Sequence, residues 1–423
     1  MKTTIKQSIL LILAIAIFSG GSPIWAQQTK EFFTVKGVVK EKQTNKSLEY
    51  ANISVAGTNI GTITNTNGEF SLKVKYSLKA KTIEVSHIGY TTSRISVNGE
   101  SMDNLTVYLT PQPSLLDEIT IRALDAKALV ESAIGNIEKN YSSNENLLSG
   151  FYRETIRKRR TYINVSEAIV EIYKSPYTQG LDKDIIQIYK GRKLISPKAD
   201  DTLMVKLLGG PNLSIYLDVV KNPDLMLNKE TLSFYKFAME ESVMIEDRPH
   251  YVVSFIPQVI LPYALHYGKL FIDRESLAFS RAEFSVSMDD RNKATQAILK
   301  KKPFSMRFKP ENISFLVTYK QRDGKSHLNY IRSEIQFKCD WKRKLFSTNY
   351  TIVSETVITG GKGENISRIP YRLSFRESQS LSDKVNNFFD ADFWEDYNII
   401  EPDESLEYAV SRLKRENLKL SSD

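Results

Sequence analysis

The residue types that could do chemistry are few and scattered. Four histidines, His87, His250, His266 and His327, and one cysteine, Cys339, are spread along 423 residues. Zinc hydrolysis needs histidines in close pairs on one helix face. No two of these have that spacing, and neither H-E-x-x-H nor H-x-x-E occurs. Acyl transfer on a nucleophile elbow would leave G-x-S-x-G, which is missing. Gly209-Gly210 precedes "PNLS" without the lysine that a phosphate loop requires. Glu240 and Glu241 fall in a strand pattern, where neighbours point to opposite faces and cannot share a proton. Asp289 and Asp290 read as a turn. No catalytic residue, no metal ligand and no cofactor-binding residue is therefore assigned, and no cofactor is expected. This favours a protein that is not an enzyme. The opposing reading is a hydrolase whose residues meet only in the fold.

Each candidate also has a plain structural role. His87 alternates with Ile83 and Val85 and reads as a residue of a β-sandwich. His266 lies beside Tyr263 and Tyr267, which predicts an aromatic surface contact. In "IRSEIQFKCDW", Ile331, Ser333, Ile335, Phe337, Cys339 and Trp341 alternate with polar or charged residues. That period of two places Cys339 on the apolar face of a strand as a small buried hydrophobe. A single cysteine leaves no internal disulfide, so core packing must hold the fold.

The elements around these residues are mostly strands. "FTVKGVV" puts Phe33, Val35, Gly37 and Val39 on one face. "SLEYANISV", "EFSLKVK", "KTIEVSHIGY" and "NLTVYLT" follow, separated by turn residues. Several short strands at regular spacing predict a β-sandwich. The stretch "SVAGTNIGTITNTNGEFSL", residues 54–72, supplies the turns. Gly57 and Gly61 can take positive φ there, and Asn67-Gly68 predicts a two-residue primed turn.

"LDAKALVESAIGNIEKNY" predicts an amphipathic helix capped by Asp125, with Val130, Ile134, Ile137 and Tyr141 on one side. Beyond it a long series of strand-like runs is joined by short turns such as Arg322-Asp323-Gly324-Lys325, which predicts one antiparallel meander from about Gly150 to Thr359. Ile331, Ile335, Phe337, Trp341, Phe315 and Val317 share its apolar face. "DTLMVKLLGG" and "NLSIYLDVVKN" read as short helices with Asp201 and Asn212 as N-caps. Near the C-terminus, Leu406, Ala409, Val410 and Leu413 make one apolar helical face.

The first residues have Lys2 and Lys6 before an apolar run from Ile9 to Phe18, then Ala26. The run is short for a membrane span and fits a secretory signal peptide cleaved before Gln27. No cysteine follows it to accept a lipid. The expected location is thus periplasmic or outer-membrane associated, not as a lipoprotein. The formal charge is +8, and removing the two lysines of residues 1–26 leaves +6. Export excludes nucleic acid as the partner. Two basic runs, "IRKRRTY" at 156–162 and "LKKKPFSMRFK" at 299–309, read as solvated turns. Their other reading is peripheral contact with anionic lipid headgroups.

The N-terminal strands carry a fuller pattern. Gly37-Val38-Val39, Ala51 to Val55 with Gly57-Thr58, Gly61 to Phe70, and Ser86 to Tyr90 resemble the carboxypeptidase-like regulatory domain of Bacteroidota proteins, over about residues 34–110. The resemblance implies a transthyretin-like sandwich that is generally non-catalytic. The same module precedes many TonB-dependent outer-membrane receptors, and "LDEITIRA", 116–123, looks like the strand that follows it there. No series of barrel strands follows here, and no carboxypeptidase domain is present. The run from His250 to Val286 is similar to a hairpin of periplasmic lipoprotein-carrier half-barrels.

The expected fold is mainly β: the sandwich, then a larger antiparallel curved sheet or half-barrel with a few helices. The expected domains are a signal peptide at 1–26, the sandwich at 27–113, a linker strand and helix at 114–148, and a mostly-β domain at 149–423. The expected function is non-catalytic binding or scaffolding in the cell envelope, with another envelope protein, a glycan or a lipid as partner. The alternative is a lipid or lipoprotein carrier with an apolar cavity. Asp201-Thr202-Leu203 also fits a short O-glycosylation pattern at Thr202.

Overall fold

A computed structural model describes residues 31–113, 124–203, 205–207, 209–341, 347–363, 365–376, 379–387 and 391–422. The leader and the 116–123 strand expected from sequence lie outside the described residues. The protein is mainly β, and none of the described helices is long and apolar enough to cross a membrane.

Seven strands build the sandwich: β1 (Phe32–Glu41), β2 (Asn52–Val55), β3 (Gly61–Ile63), β4 (Glu69–Lys75), β5 (Thr82–Ser86), β6 (Ser93–Ser96) and β7 (Met102–Leu109). One sheet has the order β4-β1-β7 and the other β3-β2-β5-β6; β1 and β7 run parallel, the other pairs antiparallel. Alternation supplies the inner faces. Val35, Val39, Leu72 and Val74 meet Ile53, Ile83 and Val85, all of them fully buried. The turn into β4 differs from the two-residue form. Gly68 takes φ 78°, but Asn67 keeps a negative φ. The Gly68 amide donates to Asn65 O at 3.0 Å, and the Asn65 side chain accepts from the Asn67 and Glu69 amides. This is a type I turn closed by a left-handed glycine, and it carries the chain from one sheet to the other. Gly57 has positive φ; Gly61 does not, and a Cβ there would lie 2.6 Å from Ile53 O.

Helix α1 (Ala126–Gly135) follows, capped as expected by Asp125, which accepts from the Lys127 and Ala128 amides. It breaks at Asn136, and α2 (Ile137–Asn140) adds one turn. The next strands are β8 (Asn146–Lys158), β9 (Thr161–Lys174), β10 (Ile185–Ile195) and β11 (Lys206–Leu207). After the single turn α3 (Leu213–Tyr216) come β12 (Tyr235–Ile245), β13 (Arg248–Pro257), β14 (His266–Asp273) and β15 (Phe279–Val286). Helix α4 (Arg291–Ile298) leads to β16 (Leu299–Lys301), β17 (Met306–Arg322), β18 (Lys325–Trp341) and β19 (Thr348–Lys362). The chain ends in α5 (Leu381–Lys384), β20 (Asn386–Asn387) and α6 (Glu404–Ser422).

Eleven of these strands form one curved sheet in the order β12-β13-β14-β15-β17-β18-β19-β8-β9-β10-β20. Every pair is antiparallel except β10 with β20. Asp323 (φ 51°) and Gly324 (φ 74°) make the primed turn between the two longest strands, β17 and β18. The small strands β11 and β16 pair with each other. Two sequence expectations fail here. Asp201 ends a 3-10 turn at Ala199–Asp201 instead of capping a helix, because it is held by Ser196 and Lys158 at 2.6 and 3.0 Å. Asn212 precedes α3 but its side chain donates to Phe375 O. Thr202 is exposed.

The sheet is covered on both faces, so its strands alternate between two cores. Ile313, Phe315, Val317, Ile331, Ile335, Phe337 and Cys339 face a core closed by α1, α3 and the segment Val219–Leu232. Tyr330, Phe151 and Val357 face the opposite way, against Trp394, Ile400 and Ile63 of the sandwich. Helix α6 buries Leu406, Val410 and Leu413 against Val165 and Leu194.

Candidate binding cleft between the sandwich and the sheet

The sandwich is held on the sheet by polar contacts along the segment before α6. Thr62 donates to Ile399 O at 2.7 Å, Asn65 to Pro402 O at 3.2 Å and Thr66 to Asp403 at 2.6 Å. Asn398 bonds both the amide and the carbonyl of Lys73. On the other side of the sandwich, the Gly89 amide donates to Met244 O and the Thr92 amide to Asp247. Between these attachments an open cleft of about 1090 Å³ remains. Glu49, Tyr50, His87 and Tyr90 form its sandwich wall; Tyr267, Lys269, Arg281, Glu283, Arg332 and Glu334 form its sheet wall. The wall mixes both signs of charge with aromatic rings.

Arg332 lies at the junction of this cleft and a smaller one of about 230 Å³. Its Nε donates to Tyr50 OH at 3.1 Å, one terminal nitrogen to Glu334 at 2.8 Å, and its plane lies over the Tyr50 ring. Nη1 is buried and has no hydrogen-bond partner among the described residues. Such a donor is costly unless something accepts from it.

His87 is in this cleft, not in the sandwich core with Ile83 and Val85. Ser86 takes the buried position at the end of β5, and His87 turns out against Tyr90, with Nδ1 3.1 Å from Ile88 O. Burial and the Arg281 charge push its pKa down to about 4. His266 is no surface contact of Tyr263 and Tyr267 either. It packs edge-on against Phe284, and burial pushes it down to about 4. Cys339 is fully buried on the apolar face, its thiol pushed up to about 12.

Adjacent strands bring together one group that sequence spacing does not reveal. His250 Nε2 is 2.8 Å from Ser280 Oγ and 3.8 Å from Asp273 Oδ2. In a hydrolase the carboxylate orients the other ring nitrogen. Here His250 Nδ1 faces Arg248 O at 2.9 Å, and Asp273 accepts from the Glu275 and Ser276 amides and from Arg248. The geometry is that of a strand connection, not of an activated serine. Among the described residues no three His, Cys, Asp or Glu side chains are grouped to hold a metal ion.

Two buried ionic networks are built into the interior. Lys174 Nζ lies 2.7 Å from both Asp184 and Asp218, and Tyr177 and Tyr319 donate to Asp218 at 3.0 and 2.7 Å. Burial alone would lower the Lys174 pKa, but the two carboxylates hold it above its ordinary value. Lys221 donates to Ser175 and is pushed by burial down to about 8. This network pins the covering segment at Asp218 to β9 and β17. On the sandwich side, Glu167 is held by Arg153 and Arg192, and Arg153 also donates to Ile400 O at 2.7 Å. Burial alone would raise Glu167, yet the two guanidiniums keep it below its usual range. Under the helical cover a space of about 310 Å³ remains beside Ile156, Ile335 and Ile352. Glu154 borders it and is held by Tyr152 OH at 3.0 Å, and burial raises its pKa.

These features define a two-part protein, a small sandwich seated on a large doubly covered sheet, with an open cleft between the parts. Residues 35–121 match the CarboxypepD_reg-like domain family. The TonB-dependent receptor SusC of Bacteroides thetaiotaomicron is 35% identical over 113 residues, 27% of this chain. The match spans only 10% of that curated relative's length. Among solved structures, a LolA superfamily protein from Nitrosomonas europaea aligns with 61% of this chain and 100% of its own, at 10% identity and a TM-score of 0.24. A DUF1329 family protein from Desulfovibrio piger ATCC 29098 aligns with 58% and 96%, also at 10% identity and 0.24.

Proposed function

We propose that this chain is a non-catalytic binding or scaffolding protein of the bacterial cell envelope. Its cleft would take an extended polypeptide segment of another envelope protein. One observation carries the reading: a cleft of about 1090 Å³, walled by both parts of the chain and lined by Tyr50, Tyr90, Tyr267, Lys269, Arg281 and Arg332. A polypeptide offers what such a wall needs, carbonyl acceptors for Lys269 and side chains for Tyr50, Tyr90 and Tyr267. The near balance of Lys46, Lys269, Arg281 and Arg332 against Glu41, Glu49, Glu283 and Glu334 suits a polar chain better than a polyanion. The match of residues 35–121 to a domain shared with an outer-membrane receptor supports the envelope setting. The carrier alternative is weakened because the covering segment buries most of the helical face of the sheet and leaves a space of only about 310 Å³, bordered by the Glu154 carboxyl.

A photo-crosslinking residue at Tyr267, in the cleft, should give a discrete protein adduct in cells of the native host. The same residue at Tyr408, exposed on α6, should not. Lys269→Glu should weaken the Tyr267 adduct. Equal adducts from both positions, or a lipid retained by the purified protein in native mass spectrometry, would overturn the reading.

A further inference from the structure

The antiparallel pairing brings three separate features to one end of the large sheet. The β13–β14 loop leaves Pro257 and returns at His266, which pairs with Val286 at the end of β15. The connection through α4 to β17 starts at that same end. Following the pairing from β17 through β18 and β19 to β8, the β8–β9 hairpin also turns there. Residues far apart in sequence thus share one rim.

The loop is apolar and exposed. Ile260 is 92% exposed, and Ile256, Val259 and Tyr263 are exposed beside it. An isolated exposed apolar residue needs no explanation, but a contiguous protruding group does. The loop rests on the start of α4: the Ser287 amide donates to Leu265 O at 2.8 Å, and Ile260, Tyr263 and Leu265 line a small space with Asp289, Asp290 and Lys293.

The rest of the rim is basic. Residues 291–309 contain seven lysines and arginines and no acid. Lys300, Lys301, Lys302 and Arg307 are exposed, and Phe304 beside them is 92% exposed. Arg159 and Arg160 are exposed at the β8–β9 tip. The nearby acids are engaged locally. Asp290 caps α4, Asp289 accepts from Ser287, Asp340 pairs with Lys309, and Asp201 pairs with Lys158.

We propose that this end of the sheet docks on an anionic phospholipid surface. Val259, Ile260 and Tyr263 enter the headgroup region, and the exposed Lys300, Lys301, Lys302 and Arg307, with Arg159 and Arg160 of the β8–β9 tip, contact the phosphates. The occupant follows from charge complementarity. A protruding apolar tip with exposed cations along the same sheet edge matches a bilayer interface, which is apolar within and negative at its surface. An apolar protein groove would satisfy Ile260 but make no use of the exposed cations on the same edge. The inference uses neither the cleft nor its partner, so either can fail alone.

The test is co-sedimentation of the mature chain with vesicles of equal parts phosphatidylcholine and phosphatidylglycerol, against pure phosphatidylcholine. Binding should require phosphatidylglycerol and fall as salt is raised. Each Lys→Glu change at 300–302 should weaken it at least about fivefold. Ile260→Asp should also weaken it, with an unchanged circular dichroism spectrum because the residue packs on little. Equal binding to both vesicles, or binding unaffected by Ile260→Asp, would overturn the proposal. So would a self-associated protein that Ile260→Asp converts to a monomer, which would make the loop a contact between copies.

Discussion

Replacing Gly68 by alanine separates two costs that the structure assigns to the turn into β4. The first is backbone strain. A non-glycine residue held near φ 78° loses roughly 1–2 kcal/mol, offset by about 0.4–1 kcal/mol gained from a less flexible unfolded chain. The second is contact. A Cβ on Gly68 would lie 2.7 Å from Val39 O and 3.0 Å from the Ser47 Cβ. Val39 O cannot retreat freely, since it accepts from the Leu48 amide at 2.9 Å while the Val39 amide donates to Gly68 O at 2.8 Å. Relief would weaken one or both bonds, each worth about 1 kcal/mol net. Gly68→Ala should therefore cost about 2–3 kcal/mol, and Gly68→Val more. Gly57 is the control, because its φ is 72° and nothing lies within 4 Å of its Cβ. Gly57→Ala should cost about 1 kcal/mol or less. Urea unfolding of the mature chain, followed by circular dichroism, gives both values. Equal small losses at the two positions would show that the turn is not closed over Val39 and Ser47.

Glu167→Gln should destabilise the protein by about 3–5 kcal/mol, read as a lower urea midpoint, because it leaves Arg153 and Arg192 buried without their anion. A midpoint indistinguishable from the parent's would mean water reaches the pair. Acid should also destabilise the fold. Burial holds His87, His266 and His327 near pKa 4 in the folded state against 6.5 when unfolded, so the unfolded chain binds more protons between those values. Stability should then fall as pH drops from about 7 towards 4, by up to about 1.4 kcal/mol per unit for each histidine. Urea midpoints that stay flat from about pH 7 to about pH 5 would place these rings in solvent.

Local signals in this chain were legible because they depend on near neighbours. The alternation of Ile331, Ile335, Phe337 and Cys339 reports a strand with one buried face, since successive side chains must point to opposite sides. The cap of α1 is as local: the amides that Asp125 accepts from belong to Lys127 and Ala128, within reach of its own side chain. So is the Asp323-Gly324 turn. What the pattern could not say is which surface covers each face. Phe151, Tyr330 and Val357 are buried because the sandwich and the segment before α6 sit over them, and that sandwich is held by contacts such as Thr62 with Ile399, 337 residues apart. His87 continues the alternation of Ile83 and Val85, yet the chain leaves the strand after Ser86 and turns it into the cleft. His250, Asp273 and Ser280 meet only through the pairing of β13, β14 and β15. The cleft and the basic, apolar-tipped rim arise in the same way. The cleft gathers residues whose sequence neighbours do not share it, and the rim joins runs that are each visible in the sequence but meet only in the sheet, so pairing register and the packing of sandwich on sheet decide both.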